Sequence, residues 1–137
     1  TNYIDWYELD PEIVESCYRH LPIVCSKVKK SNTVNTFWGD AFESIKSVED
    51  SKYDKIFVDL NDDQYCIDLA RKNMKALKRI LKPGGVITAQ VGSKDKKPKQ
   101  VKNWCNVLEK SFGNVNVSGV YIPSFDCNWN FASSIMK

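Results

Sequence analysis

The 137-residue chain is 42% hydrophobic and 12% aromatic with a net charge of +3, enough apolar material for one folded domain and too mild a charge to mark a nucleic-acid-binding protein. No apolar run approaches the roughly 20 residues that cross a bilayer, and no signal-peptide pattern opens the chain. The five cysteines (Cys17, Cys25, Cys66, Cys105 and Cys127) include no C-x-x-C spacing and the only histidine is His20, which argues against a disulfide framework or a metal site and for a reducing, cytoplasmic compartment.

In chain order, Tyr3 to Leu9 is rich in aromatic and β-branched residues and predicts a strand. Asp10 and Pro11 follow, a capping acid and a proline suited to the first position of a helix. Ile13, Val14, Cys17, Tyr18 and Leu21 recur at helical spacing until Pro22 ends the pattern. Glu8 therefore stands where nucleotide-binding α/β folds place the carboxylate that accepts two ribose hydroxyls, although an exposed strand-end acid has the same spacing. Val34 to Trp38 predicts a second strand, closed by Gly39 and Asp40, and Ala41, Phe42, Ile45 and Val48 mark a weak helical segment.

Tyr53 to Leu60 reads as a central strand, and the unbroken Ile56, Phe57 and Val58 suit one buried on both faces of a parallel sheet. It runs into Asp59, Asp62 and Asp63. Such sheets bind ligands beyond the carboxyl ends of their strands, so these acids make a local negative field that attracts a cation. The same acids also suit a polar loop that caps the next helix. Cys66, Leu69, Ala70, Met74, Leu77 and Leu81 form the apolar stripe of a long helix, which Lys82-Pro83-Gly84-Gly85 breaks before a buried-type strand at Val86 to Val91. Ser93 to Lys102 holds most of the surplus positive charge and reads as a solvated loop. Val101, Trp104, Cys105, Leu108 and Phe112 predict a further helix, and Val115 to Tyr121 and Asn130 to Met136 two closing strands. Strands alternating with helices, then a terminal strand pair, predict a doubly wound α/β domain.

Five segments together carry a resemblance: Tyr7 to Val14, Gly39 to Phe42, Tyr53 to Asp62, Leu77 to Gly85, and Ile122-Pro123-Ser124-Phe125. In this order they resemble spermidine synthase and its aminopropyltransferase relatives, and the match covers nearly the whole chain. The Leu-Lys-Pro-Gly-Gly turn is shared by many S-adenosylmethionine-dependent methyltransferases, whereas the acids after the central strand point to the aminopropyl branch. The resemblance implies a class I methyltransferase-like (Rossmann-like) sheet and transfer of an aminopropyl group from decarboxylated S-adenosylmethionine, a co-substrate, to putrescine or another polyamine. No metal or further cofactor is implied.

By the same resemblance Asp59 is the base, Asp62 holds the amine, Glu8 holds the ribose hydroxyls, and Asp40 with the Ala41 backbone reads the adenine edge. Gln90, Phe125 and Trp129 match positions that line the polyamine channel. The sequence departs from the family where Asp63 replaces a usual Pro and Phe125 a common Tyr, the latter looking more like thermospermine synthases. In this fold the first strand lies mid-sheet, between the strand of Ile4 to Glu8 and that of Ile56 to Asp59, and a glycine-rich loop follows it. These residues supply neither, nor the family's small N-terminal β-domain. Residues 1–137 are thus expected to be a catalytic domain, a fragment of a larger protein that forms a homodimer at full length. A methyltransferase of the same fold, a simple nucleotide-binding module and a catalytically silent scaffold are the rival readings.

Overall fold

Strands and helices alternate much as the sequence predicts, and the computed structural model, which describes residues 2–61 and 63–137, divides them into two units, Thr1–Ser47 and Val48–Lys137. The first unit contains β1 (Ile4–Glu8), α1 (Pro11–His20), α2 (Pro22–Lys29), β2 (Val34–Trp38) and α3 (Ala41–Ser44), which continues into a 3-10 turn at Ile45–Ser47. β1 and β2 pair in parallel from Ile4 opposite Val34 to Glu8 opposite Trp38. Across that pair the Tyr7 and Phe37 rings stack with centroids 4.9 Å apart. Asp10 caps α1 by accepting the Glu12 N–H at 2.9 Å, and Pro11 takes the first helical position. Pro22, expected to end helical structure, instead opens α2, because a missing N–H is harmless at a helix start. α2 buries none of its residues, so it lacks the apolar period by which helices are read from sequence.

The second unit contains β3 (Tyr53–Val58), α4 (Gln64–Ile80), β4 (Leu81–Gly92), α5 (Pro98–Phe112), β5 (Asn116–Ile122) and β6 (Cys127–Ile135). Its sheet has the order β3-β4-β6-β5, parallel between β3 and β4 and antiparallel elsewhere. Ile67, Ala70, Met74, Leu77 and Ile80 of α4 and Val101, Trp104, Leu108 and Phe112 of α5 are buried with Ile87, Ala89, Val91 and Ala132 of the sheet, which makes this the main core.

Several expectations change. β3 is not buried on both faces: Val58, beside Ala89, is 8% exposed, whereas Phe57, beside Thr88 on the other face, is 75% exposed. Leu81 ends no helix but starts β4, fully buried. The Lys82 to Gly85 turn is an irregular stretch of that strand, where pairing jumps from Tyr53–Leu81 to Lys55–Val86 and Gly84 takes a left-handed φ of 75°. The basic stretch is loop only as far as Lys97, since Pro98 starts α5. β6 begins at Cys127, which puts Trp129 within a strand.

Among the described residues β1 pairs only with β2, and β3 only with β4. Among the described residues no helix is long and apolar enough to cross a membrane.

Candidate functional site

The acids singled out from the sequence fall at the carboxyl ends of parallel strands, where backbone pairing stops and a side chain can meet a ligand. In the first unit Glu8 ends β1 beside Trp38, which ends β2. The Gly39 N–H then donates to the Glu8 carbonyl at 2.9 Å. Gly39 has a φ of 117°, a left-handed conformation that favours glycine, and the turn it makes delivers Asp40 to the same strand edge as Glu8. Glu8 is half-buried, and its Oε1 accepts the Asp10 N–H at 3.0 Å. Asp40 caps α3, its Oδ1 accepting the Phe42 N–H at 2.7 Å and the Glu43 N–H at 3.4 Å. Its second oxygen has no partner among the described residues, and the Ala41 N–H, at the first helical position, has no carbonyl within its helix to bond. Asp40 thus leaves an acceptor, and Ala41 a donor, just beyond the carboxyl end of β2.

In the second unit Asp59 follows the last residue of β3, exposed, its carboxylate with neither a hydrogen bond nor an ion pair among the described residues. Asp62 lies outside the described residues. Asp63 serves the architecture by capping α4, its Oδ1 accepting the Cys66 N–H at 2.8 Å. Asp50, Asp54, Asp68 and Glu43 pair with Arg79, Lys82, Arg71 and Lys46. Glu8, Asp40 and Asp59 have no such cation among the described residues, so their charge stays available to a positively charged ligand.

Gln90, Trp129 and Phe125 are brought together. The Gln90 Nε2 donates to the Leu60 carbonyl at 2.5 Å, and the Trp129 Nε1 donates to the Gln90 Oε1 at 2.5 Å. The Trp129 and Phe125 rings lie 4.6 Å apart at an interplanar angle of 48°. Residues that sequence reasoning missed hold the Phe125 turn: the Lys96 Nζ donates to the Phe125 carbonyl at 2.8 Å, and the Tyr121 hydroxyl donates to the Asp126 Oδ1 at 2.6 Å. That bond to a carboxylate holds the Tyr121 phenol above its ordinary pKa. Nothing in their local pattern separates these residues from an ordinary polar loop. Among the described residues no three His, Cys, Asp or Glu are gathered to hold a metal ion.

Residues 2–137 match the family model for the spermine/spermidine synthase domain. Over 136 residues the chain is 25% identical to the polyamine aminopropyltransferase of Prochlorococcus marinus (strain MIT 9215), a match that covers 96% of this chain and 48% of that protein. Among solved structures, spermidine synthase from Thermotoga maritima superposes with a TM-score of 0.85 at 16% identity, over 99% of this chain and 46% of that one. A putative O-methyltransferase from Klebsiella pneumoniae follows with a TM-score of 0.66 at 13% identity, covering 98% and 62%. The structural likenesses show the fold, a class I methyltransferase-like, Rossmann-like α/β arrangement. The chain spans about half the length of the curated relatives it matches.

Proposed function

The chain belongs to the spermine/spermidine synthase family, and from that premise we propose that it is the catalytic part of an aminopropyltransferase. The observation that carries the reading is Asp59, an accessible carboxylate at the end of a parallel strand, free of any cation among the described residues. The co-substrate is decarboxylated S-adenosylmethionine, a sulfonium, and the acceptor is putrescine or a longer polyamine.

An alkylammonium has a pKa near ~10, as in lysine, so at neutral pH the acceptor arrives protonated and cannot attack. Asp59 takes a proton from the reacting nitrogen. The nitrogen lone pair then forms a bond to the aminopropyl carbon next to sulfur, while the carbon–sulfur bond breaks and its electrons return to sulfur. The products are a lengthened polyamine and methylthioadenosine, a neutral thioether. Asp62 holds the remaining cationic nitrogen of the acceptor, Glu8 the ribose hydroxyls, and Asp40 with the Ala41 N–H the adenine edge. Phe125 and Trp129 offer an apolar wall to the methylene chain. Holding amine and sulfonium in line supplies the larger part of the acceleration, since the substitution itself needs no covalent help from the protein.

Steady-state kinetics of the full-length protein with putrescine and with spermidine test the assignment. Asp59→Asn keeps the size of the side chain and removes the base, so turnover should fall by roughly 10²–10⁴-fold. Turnover near that of the unsubstituted protein would remove Asp59 from the mechanism.

A further inference from the structure

Asp59 is gripped on both sides, though by different means. Before it, Val58 is held in the β3–β4 ladder opposite Ala89. There the register of backbone pairing ends, and two residues later the Leu60 carbonyl is taken by the side chain of Gln90, the residue that follows Ala89. The Gln90 amide thus extends the ladder by one step after the strand has left it.

The orientation of that amide is fixed by its partners. An indole N–H can only donate and a carbonyl can only accept, so the end facing Trp129 must be the oxygen and the end facing Leu60 the nitrogen. Gln90 shares its face of β4 with Thr88, whose hydroxyl lies 2.9 Å from that of Ser133 on β6, so the face is tied across to the neighbouring strand by side chains at two levels. Because the indole also rests against the Phe125 ring, the linkage runs from the Asp59 loop through Gln90 to the turn that carries Phe125.

We propose that Gln90 is a positioning residue, whose amide locks the Asp59 loop to Trp129 and so aims the Asp59 carboxylate at the reacting amine. Its role in turnover rests on the aminopropyltransferase reading, but the lock itself does not. Glu at this position could keep the bond from Trp129 but would set a carboxylate against the Leu60 carbonyl. Met, of similar length, can make neither bond.

Two measurements on the full-length protein separate the lock from the reaction. Hydrogen exchange followed by mass spectrometry reads the lock directly: Gln90→Met should speed exchange in peptides covering residues 59–61 by about tenfold, as expected when a local restraint is lost, with α4 and β4 unchanged. Kinetics read its consequence: Gln90→Met should lower kcat by about 10- to 100-fold, the scale of a small misplacement. The KM for the amine should stay within about twofold, and the same substitution in an Asp59→Asn background should cost little more, because residues that act as a unit are not additive. Trp129→Phe, which keeps a ring against Phe125 and deletes the indole N–H, should move both readouts in the same direction. Unchanged exchange around residues 59–61 overturns the lock, whatever the activity. An additive loss of kcat, or a loss confined to KM, overturns the aiming of Asp59. If the unsubstituted protein transfers no aminopropyl group, the functional reading and the aiming fail together, and exchange alone decides the lock.

Discussion

Glu8 places two demands on one carboxylate: its Oε1 holds the Asp10 N–H at 3.0 Å at the entrance to α1, and its charge is proposed to face the ribose. The two can be separated, because Gln offers a neutral oxygen to the same N–H while giving up the charged acceptor. Glu8→Gln should leave the fold intact and weaken methylthioadenosine binding by about 10- to 100-fold, the range of ~1.5–3 kcal/mol for hydrogen bonds to charged groups. Titration calorimetry checks this, and unchanged affinity would take the ribose role away from Glu8. Residues of this kind are legible in a sequence, since a strand-like run followed by a turn or a cap puts the acid at a strand end before anything is known of the sheet. The linkage from Leu60 through Gln90 to Trp129 is not legible in that way. It depends on β4 lying between β3 and β6 and on a register shift near Gln90, and its partners are 30 and 39 residues from Gln90 along the chain.

At the scale of elements, the segment from β3 to α4 carries Asp59, proposed as the base, and Asp63, which serves the architecture. Asp63 satisfies one of the free amides at the start of a 17-residue helix whose inner face supplies much of the core. Asp63→Ala should cost about 1 kcal/mol, the usual worth of an N-cap, and Asp63→Asn almost nothing, because Asn caps as well. Urea unfolding measures both. A fall in turnover for Asp63→Asn as large as that for Asp59→Asn would instead give Asp63 a chemical role. Most elements could be read from periodicity, α4 and α5 above all, because their apolar stripes face one buried side. α2 has no such stripe, because it buries nothing, and it begins with a proline. The two-faced burial expected of β3 fails at Phe57, because an unbroken apolar run records how many apolar residues are present but not how many faces are covered.

For the molecule as a whole, each unit presents its functional groups at the carboxyl ends of a parallel strand pair: Glu8, Asp40 and the Ala41 N–H beyond β1 and β2, and Asp59 beyond β3 with Gln90 on β4. The family match covers both units from residue 2 to residue 137. We have proposed that the groups in the first hold an adenosine and that the acid in the second meets a cationic amine. A methyltransferase of the same fold could use the first set but would not need Asp59 and Asp62 as an acidic pair. The most direct measurement is therefore the products formed by the full-length protein, identified by mass spectrometry after incubation with a polyamine and either decarboxylated S-adenosylmethionine or S-adenosylmethionine itself. One methylthioadenosine for each polyamine lengthened by an aminopropyl group, with no methylated product from S-adenosylmethionine, is the result predicted here; methyl transfer from S-adenosylmethionine without any aminopropyl transfer would contradict it.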